Sequence, residues 1–251
     1  ARMSGKSAAN LLHLGPGLGN AFANIHNAKK ACSPMINIVG DHASYHLKHN
    51  APLTSDLDGL AKSSSDWVKR VSSPEQITQC ANDAWKAANQ APGNIATLIV
   101  PADYAWSDIG SDLPKKVELN NRKPVDNKLI EAAYKLLLKP NSMLYLGGKF
   151  LDEECLKFAA QIATKTGCRL VTDTFVSRIR RGAGLPIVQQ VPYFSEMAED
   201  FLQGTESIVF IGTKPPVSFF AYPDKKSFLS PDEAELFELC SVEENGYEAL
   251  A

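Results

Sequence analysis

The stretch Leu-Leu-His-Leu-Gly-Pro-Gly-Leu-Gly-Asn, residues 11–20, decides how this 251-residue chain folds. Its apolar start at 11–14 predicts a short strand, and the glycines and proline of 15–20 predict a tight loop before a helix that ends near Ala31. The continuous apolar run at 35–39 predicts a strand buried on both faces, as in a parallel sheet. The chain is therefore expected to open with a βαβ unit.

The alternation of helix and strand continues and then breaks at a change of composition. Ser73-Pro74-Glu75 predicts the start of a helix that runs to about Gln90, and residues 95–100 predict another buried strand. Residues 108–124 are rich in charged, glycine and proline residues and lack a sustained apolar period. The predicted domain limits are a first domain at 1–106, a linker at 107–124 and a second domain at 125–251.

Strands and helices also alternate in the second domain. Apolar runs predict strands at 143–146, 169–172 and 208–211. Helical periodicity predicts helices at 126–138, 152–166 and near 194–202. The predicted fold class is therefore α/β, with two parallel-sheet domains, the second of them Rossmann-like. Both ends of the chain look cut, and we expect the start of the first domain and the end of the second to lie outside it.

The composition argues against several classes of protein. A formal net charge of −2 without a basic stripe argues against nucleic acid as a partner. The five cysteines are far apart and form no CxxC pair, which disfavours a disulfide framework or a structural zinc site and favours a reducing cytoplasm. No apolar run approaches the roughly 20 residues of a membrane helix, and no signal peptide opens the chain. We expect a soluble, cytoplasmic protein.

The glycine-rich segment 15–20 has more than one interpretation from its residues alone. Glycines let the backbone approach a ligand, and a following helix N-terminus offers unpaired N–H groups. The same pattern also suits a tight βα turn with no ligand. A dinucleotide-binding loop would use Gly15 and Gly17, with Asp41 on the ribose. Asn20 stands where that motif has its third glycine and a proline interrupts the loop, so a nicotinamide-dependent dehydrogenase is a secondary hypothesis.

Residues 11–20, with the Ala-rich helix, Ser33-Pro34 and the strand at 35–40 that follow, resemble the pyrimidine-binding domain of thiamine-diphosphate-dependent enzymes. Acetohydroxyacid synthase and benzoylformate decarboxylase belong to this superfamily. Residues 93–101 are similar to the strand that closes that domain. Residues 125–251 resemble the family's central domain, with Leu146-Gly147-Gly148 at a strand end. The resemblance covers nearly the whole chain.

The resemblance implies a cofactor, thiamine diphosphate, whose aminopyrimidine ring would lie against Gly15, Pro16, Gly17 and Asn20. In the family, the glutamate that protonates this ring lies upstream of the matched segment, and the Gly-Asp-Gly…Asn motif that holds magnesium and diphosphate belongs to a third domain. Neither is found in this sequence. We therefore expect the magnesium site to lie outside this chain, and the chain alone to be inactive.

The resemblance also leaves two questions open. Some family members bind FAD in the central domain, where the run 178–181, Arg-Ile-Arg-Arg, would face an anionic nucleotide or form a solvated basic turn. The family's active site lies between two subunits, which implies a homodimer or homotetramer.

His13 is the candidate catalytic residue, because benzoylformate decarboxylase has a histidine at the same place before its glycine loop. An imidazole there would relay protons near neutral pH. A hydrogen-bonded structural role is the alternative. The second active-site histidine of that decarboxylase has no counterpart, since the matching stretch 219–222 reads Phe-Phe-Ala-Tyr.

A separate cluster of histidines follows the second predicted strand at i, i+4 and i+7: His42, His46 and His49. If that stretch is helical, the three share a face and, with Asp41 or Asp56, would suit zinc. The alternatives are an active-site wall and a solvated loop. The stretch is also similar to the loop with the adjacent histidine pair of pyruvate decarboxylase, in which His49 alone would match. His49 is therefore a second candidate catalytic residue. We do not predict a metal site at these histidines.

These observations predict an enzyme that uses thiamine diphosphate to form or cleave the carbon bond next to a 2-keto acid carbonyl. Ligation like that of acetolactate synthase is the first choice and decarboxylation the second. A dehydrogenase and a non-catalytic relative that kept the fold remain as alternatives.

Overall fold

The computed structural model describes residues 1–110 and 117–251. It divides into two compact units, Ala1–Asn121 and Arg122–Ala251. The division falls within the predicted linker at 107–124, part of which lies outside the described residues. The predicted domain limits 1–106 and 125–251 therefore stay predictions. None of the described helices combines the length and apolar character needed to cross a bilayer.

The first unit is built on a parallel sheet. Its strands are β1 (Ala8–His13), β2 (Met35–Asp41), β3 (Trp67–Arg70) and β4 (Ile95–Pro101), in the order β1-β2-β4-β3. Every pairing is parallel, and His13 lies beside Gly40, which lies beside Val100. The residues that follow β1, β2 and β4 therefore leave the sheet at one edge, which places the candidate site there.

Three α-helices connect these strands, α1 (Leu14–Lys30), α2 (Leu57–Ser64) and α3 (Ile77–Asn89), and the short α4 (Ala102–Ala105) follows β4. Leu18 and Ile25, seven positions apart on α1, share one helix face and pack with Val39 in the core. The helix predicted from Ser73 begins instead with a 3₁₀ turn at Pro74–Gln76. The predicted opening βαβ unit is confirmed.

The predicted loop at 15–20 is wrong, because α1 begins at Leu14, directly after β1. Leu14 turns the chain, with a φ of 54°, and lies buried. Pro16 falls in the first helical turn, where a missing N–H costs little. The glycines and proline that suggested a loop therefore form the first turns of a helix.

The second unit is also a parallel sheet. Its strands are β5 (Ser142–Leu146), β6 (Arg169–Thr172), β7 (Gln189–Gln190), β8 (Ser207–Ile211) and β9 (Glu235–Cys240), in the order β7-β6-β5-β8-β9. Its helices are α5 (Asn127–Leu137), α6 (Glu153–Thr166), α7 (Ser195–Leu202) and α8 (Gly246–Leu250). All its strand pairings are parallel, which confirms the predicted α/β class.

Strands β5 and β8 form the centre of this sheet and are buried along their whole length. Leu144 and Leu146 pack into one core, whereas Met143 and Tyr145 pack into another. Because side chains alternate between the faces of a strand, this double burial explains why the strand is continuously apolar. The first turn of α6 is fixed by Asp152, whose carboxylate accepts a hydrogen bond from the Cys155 N–H.

Candidate functional site

A cavity of about 380 Å³ lies at the carboxyl ends of β1, β2 and β4. We call it the histidine cavity; its lining consists of His13, Leu14, Asp41, His42, Ala43, Tyr45, His46, Leu53, Ala102 and Trp106. Ligand clefts of parallel α/β sheets form at this edge. The volume falls within the range of small-molecule sites, roughly 300–1,000 Å³.

His13 is the last residue of β1 and lies exposed at the N-terminus of α1. Its side chain does not cap the helix, although the residue holds the N-cap position with an extended backbone. The strand register brings it beside the segment that leaves β2, where His42 lies. The structure thus places the predicted His13 in a cavity with other imidazoles.

The three clustered histidines form a row of rings. The ring centroids of His42 and His46 are 5.4 Å apart, and those of His46 and His49 are 5.6 Å apart. The stretch is not a continuous helix, which the zinc alternative required, because only Leu47–His49 forms a short 3₁₀ helix. His42 and His46 line the histidine cavity, whereas His49 is absent from its described lining.

The zinc alternative lacks support. Among residues 1–110 and 117–251, no group of three histidine, cysteine or acidic residues is arranged to hold a metal ion. Asp56 caps α2 instead, accepting a hydrogen bond from the Gly59 N–H at 2.9 Å. Asp41 is also engaged, as described next.

Asp41 is a buried anchor beneath the histidine cavity. Its carboxylate accepts the His42 backbone N–H at 2.7 Å and pairs with the Arg70 guanidinium, and its side chain is only 2% exposed. Arg70 also binds Asp58 at 2.7 Å. Burial acts to lower the pKa of Arg70, but hydrogen bonds to the two carboxylates outweigh it and raise that pKa. Both oxygens of Asp41 are therefore used internally, which argues against the ribose-binding role that a dehydrogenase needs.

A second anchor holds the segment after β2. The Ser44 N–H donates to Asp103 Oδ1 at 2.8 Å, and its hydroxyl donates to Asp103 Oδ2. Burial acts to raise the pKa of Asp103, but the hydrogen bonds from Ser44 and from nearby backbone N–H groups together outweigh it and lower that pKa. The segment with Tyr45 and His46 is thus tied to the short helix after β4.

The four predicted cofactor residues lie on the first turns of α1. Gly15 is buried, and a Cβ there would lie 2.2 Å from Ser55 Oγ, so close packing requires a glycine. A Cβ on Gly17 would meet the backbone of β1 at 3.4 Å. Pro16 and Asn20 are exposed. In the part of the chain that the structure describes, none of the four belongs to the lining of the histidine cavity.

Sequence reasoning missed several walls of the cavity, among them Tyr45, Leu53 and Trp106. All three are exposed large side chains, with 64%, 42% and 67% of their surface accessible. They lie in connections, which have no periodic pattern to mark them. The one available signal was that Tyr45 and Trp106 lie a few residues after β2 and β4, where clefts form.

The corresponding strand ends of the second unit carry a closed polar network, the Asp173 network. The carboxylate of Asp173 accepts hydrogen bonds from the Tyr145 hydroxyl at 3.1 Å and the Thr213 hydroxyl at 2.7 Å. Burial raises the pKa of Asp173, while these two bonds act to lower it. Burial, and then the nearby carboxylate, raise the pKa of Tyr145 above its usual value.

Exposed aromatic rings lie beyond the same strand ends. Phe175 contacts Tyr193 and Phe219 with ring centroids 5.9 and 5.7 Å apart, and Phe219 contacts Phe220 at 4.9 Å. Residues 219–222, the stretch matched to a decarboxylase segment, thus contribute to this cluster. In the run 178–181, Arg181 donates to Gln190 at 2.8 Å.

Comparison with known proteins shows which proteins this chain is similar to. Residues 1–61 match the family described as thiamine pyrophosphate enzyme, N-terminal TPP binding domain. A Mycobacterium tuberculosis protein provisionally named acetolactate synthase large subunit IlvX is 42% identical, over 94% of this chain and 45% of its own length. The chain is therefore similar in sequence to thiamine-diphosphate-dependent enzymes.

Other proteins are similar to the chain over the same range. The acetolactate synthase large subunit of Corynebacterium glutamicum is 24% identical over 97% of this chain and 41% of its own length. Benzoylformate decarboxylase from Polynucleobacter necessarius superposes with a TM-score of 0.82 at 20% identity, over 99% of this chain and 50% of that one. The 4-hydroxybenzoylformate decarboxylase of Rhodococcus jostii gives 0.80 at 19% identity, over 98% and 47%. The chain thus spans about half the length of these thiamine-diphosphate-dependent relatives and shares their fold.

Proposed function

We propose that this chain contributes the pyrimidine-binding and central domains of an enzyme that forms or cleaves the carbon bond next to a 2-keto acid carbonyl. Thiamine diphosphate would be its cofactor, and ligation like that of acetolactate synthase its reaction. The observation that carries the proposal is the histidine cavity, in which the predicted His13 lies at the carboxyl edge of the sheet. The 42% identical relative supports the choice of ligation.

The residues of the first unit fit the ring end of the cofactor. The histidine cavity, which begins at His13 and Leu14 beside the first turns of α1, combines imidazoles with the aromatic and apolar walls of Tyr45, Trp106 and Leu53 and would receive the substrate. The first turns of α1 would hold the pyrimidine through Pro16, Gly17 and Asn20. Gly15 would not contact the ring; its missing side chain would let Ser55 pack closely against the first turn of α1.

The residues do not fit the diphosphate end. The described chain, with its gap at 111–116, holds no cluster of acidic or histidine ligands suited to magnesium. The magnesium site is therefore proposed to lie outside these residues, and the chain alone to be inactive. The use of magnesium and the binding of FAD by the central domain stay predictions.

Bound thiamine diphosphate would supply an electron sink for the carbanion left when the bond next to the carbonyl breaks. The side chains of this unit would control protons and water. The His13 imidazole would exchange a proton with the carbonyl oxygen of the keto acid, as a group that titrates near neutral pH does efficiently. Tyr45 and Trp106 would exclude water from the reacting atoms. His49, outside the described cavity lining, would take no direct part.

Decarboxylation without ligation is the second candidate. The combination of His13 with the aromatic walls Tyr45 and Trp106 favours it, because an aryl keto acid would find both a proton donor and an apolar surface. The two solved decarboxylases with this fold act on benzoylformate or its 4-hydroxy derivative by their names. We further propose a cytoplasmic homodimer or homotetramer.

The test uses this chain and a chimera in which it replaces the matching segment of the Mycobacterium tuberculosis relative. Thiamine diphosphate with magnesium is titrated into both, and products from pyruvate and benzoylformate are assayed. We expect tight binding and turnover by the chimera alone, and loss of turnover without loss of binding in its His13→Phe variant. Acetolactate would identify ligation, and benzaldehyde decarboxylation. Binding of NAD with no binding of thiamine diphosphate by the chimera would contradict the proposal.

A further inference from the structure

Two segments of the chain carry the aromatic walls of the histidine cavity. Tyr45 lines it from the segment that leaves β2, and Trp106 lines it from the segment that leaves β4. The backbone pairing of these two strands ends at Asp41 and Pro101, so it does not reach either ring. Both rings are largely exposed, which means that neighbouring side chains cover little of them. A contact beyond the sheet is therefore needed to fix the two walls relative to each other.

Ser44 and Asp103 supply that contact. The Ser44 N–H donates to Asp103 Oδ1 at 2.8 Å, and the Ser44 hydroxyl donates to Asp103 Oδ2. In the described chain, which leaves out 111–116, no other hydrogen bond joins the two segments beyond the ends of their strands. Neither residue lines the cavity, although each lies between lining residues in the chain. The pair would therefore act on the cavity only through its neighbours.

The geometry of this pair suits a rigid connection. A carboxylate that receives one donor on each oxygen fixes the orientation of its partner as well as its distance. The short helix α4 that carries Asp103 is itself held, because the Tyr104 hydroxyl donates to the Ser72 carbonyl at 2.9 Å. Loss of the carboxylate of Asp103 would break both bonds to Ser44 at once and would release Tyr45, the next residue.

We propose that Asp103 is a positioning residue, which holds the Tyr45 and Trp106 walls together through Ser44 and thereby keeps water away from the reacting atoms. This inference rests on the proposed function and concerns the control of the same site. Two pyruvate anions and a proton give acetolactate and carbon dioxide, whereas one pyruvate anion and a proton give acetaldehyde and carbon dioxide. Water that enters the site favours the second outcome, because a proton then takes the place of the second pyruvate. Asp103 thus favours ligation without touching the substrate.

The first experiment uses the 251-residue chain without cofactor or keto acid and follows amide hydrogen exchange and ring signals by NMR. Asp103→Ala should speed exchange of the Ser44 N–H about tenfold, as loss of a charge-assisted hydrogen bond does, and should shift the ring signals of Tyr45 and Trp106. The ring signals of Trp85, on α3, should stay in place. Asp103→Asn keeps an acceptor for the N–H and a donor for the hydroxyl, so it should reverse most of both changes. Unchanged Ser44 exchange in Asp103→Ala, or unshifted signals of both rings, would overturn the proposal.

The second experiment gives pyruvate to the chimera with thiamine diphosphate and magnesium and measures acetaldehyde formed per acetolactate. This ratio does not depend on the amount of folded protein, so a loss of stability alone leaves it unchanged. Asp103→Ala should raise the ratio about fivefold, because the loosened walls admit water. Asp103→Asn should raise it much less. Adding Ser44→Ala to Asp103→Ala should raise it no further, since the two side chains act as one unit.

Tyr104→Phe is the matched control, because it removes a different hydrogen bond of the same short helix and Tyr104 does not line the cavity. It should leave the product ratio as in the unaltered chimera. An equal rise in Tyr104→Phe, or an unchanged ratio in Asp103→Ala, would overturn the proposal. A chimera that forms no acetolactate would contradict the proposed function instead. The NMR comparison needs neither cofactor nor turnover, so it would then decide the role of Asp103 by itself.

Discussion

The two sheets of this chain have the same parallel architecture, yet their carboxyl edges differ. In the first unit, the edge opens into the histidine cavity, where His42 Nε2 has no partner. In the second unit, Asp173 accepts hydrogen bonds from Tyr145 and Thr213. Each edge gathers polar groups from neighbouring strands, but at the first edge the His42 ring nitrogen is left without an internal partner.

The difference separates polar groups that hold the fold from those that meet a ligand. A buried group with good partners rigidifies its surroundings, whereas one without partners costs stability until something binds. The first edge contains both kinds, because Asp41 and Arg70 form a satisfied layer beneath the unsatisfied His42. Substitutions in the satisfied layers should therefore change stability, whereas those in the cavity should change binding.

The largest expected effect tests the satisfied layer of the first edge. Arg70→Met keeps much of the apolar stem but leaves the buried Asp41 carboxylate without its cation. The free energy of unfolding should fall by about 3 kcal/mol, the lower end for breaking a buried pair, because Arg70 is partly exposed. Urea unfolding measures this change.

Asp58→Asn is the matched control for Arg70→Met. It removes the other carboxylate of the same guanidinium, which is 41% exposed, and should cost less than about 1 kcal/mol. Equal losses in the two variants would mean that Asp41 is not the anchor that we describe.

The next effect concerns the Asp173 network. Thr213→Val removes a hydroxyl that donates to the carboxylate and should cost about 2 kcal/mol at neutral pH. Burial raises the pKa of Asp173 in the folded protein above its ordinary value of 3.8, so the folded protein binds this proton more tightly than the unfolded chain does. The contribution of Asp173 to the stability of the wild type therefore declines as the pH rises through the raised pKa. The lost bond favoured the ionised form, so the cost of the substitution should shrink as pH falls through that pKa.

Unfolding of both proteins at a series of pH values tests this dependence. Thr164→Val, on the exposed face of α6, should cost less than about 0.5 kcal/mol at every pH. A cost of Thr213→Val that stays constant between acid and neutral pH would show that the ionised carboxylate is not involved.

The glycines of α1 distinguish packing from ligand contact at the first edge. A Cβ on Gly15 would overlap Ser55, so Gly15→Ala should cost about 2 kcal/mol. A Cβ on Gly19 would meet nothing within 4 Å, so Gly19→Ala should stabilise the helix by about 0.5 to 1 kcal/mol. Thermal unfolding of both variants compares them. Adding Ser55→Gly should restore much of the stability lost in Gly15→Ala, and absence of rescue would mean that the contact with Ser55 is not the cause.

The fold was predictable wherever burial leaves a continuous pattern. Strands such as Ser142–Leu146 are apolar because both faces are covered, and Arg169–Thr172 was predicted with its observed bounds. The edge strands Trp67–Arg70 and Glu235–Cys240 were missed, since their exposed residues are charged. Charged residues are typical of strands that lie at a sheet edge, where they discourage pairing with other chains. The short helix Leu57–Ser64 was missed as well.

The candidate site was predictable only in part. His13 was identified from the residues around it, and the histidine row from its spacing. That His42 lines the same cavity depends on the parallel register of β1 and β2, and the contribution of Trp106 depends on the turn after β4. These are tertiary relations between distant segments, which a local pattern does not carry. The predicted loop at 15–20 failed because packing of Gly15 on Ser55 compensates for the poor helix propensity of glycine.

The smallest expected effect concerns helix capping, a feature in which we expect the two units to behave alike. Asp56 and Asp152 cap α2 and α6 in the same way, each accepting a backbone N–H at 2.9 Å. Asp56→Ala and Asp152→Ala should therefore each cost about 1 kcal/mol, and the serine variants should recover most of it, because serine also caps helices. Chemical unfolding measures all four proteins. A serine variant of Asp56 as unstable as its alanine variant would mean that this carboxylate has a role besides capping, which would revive the question of a ligand beside the histidine row.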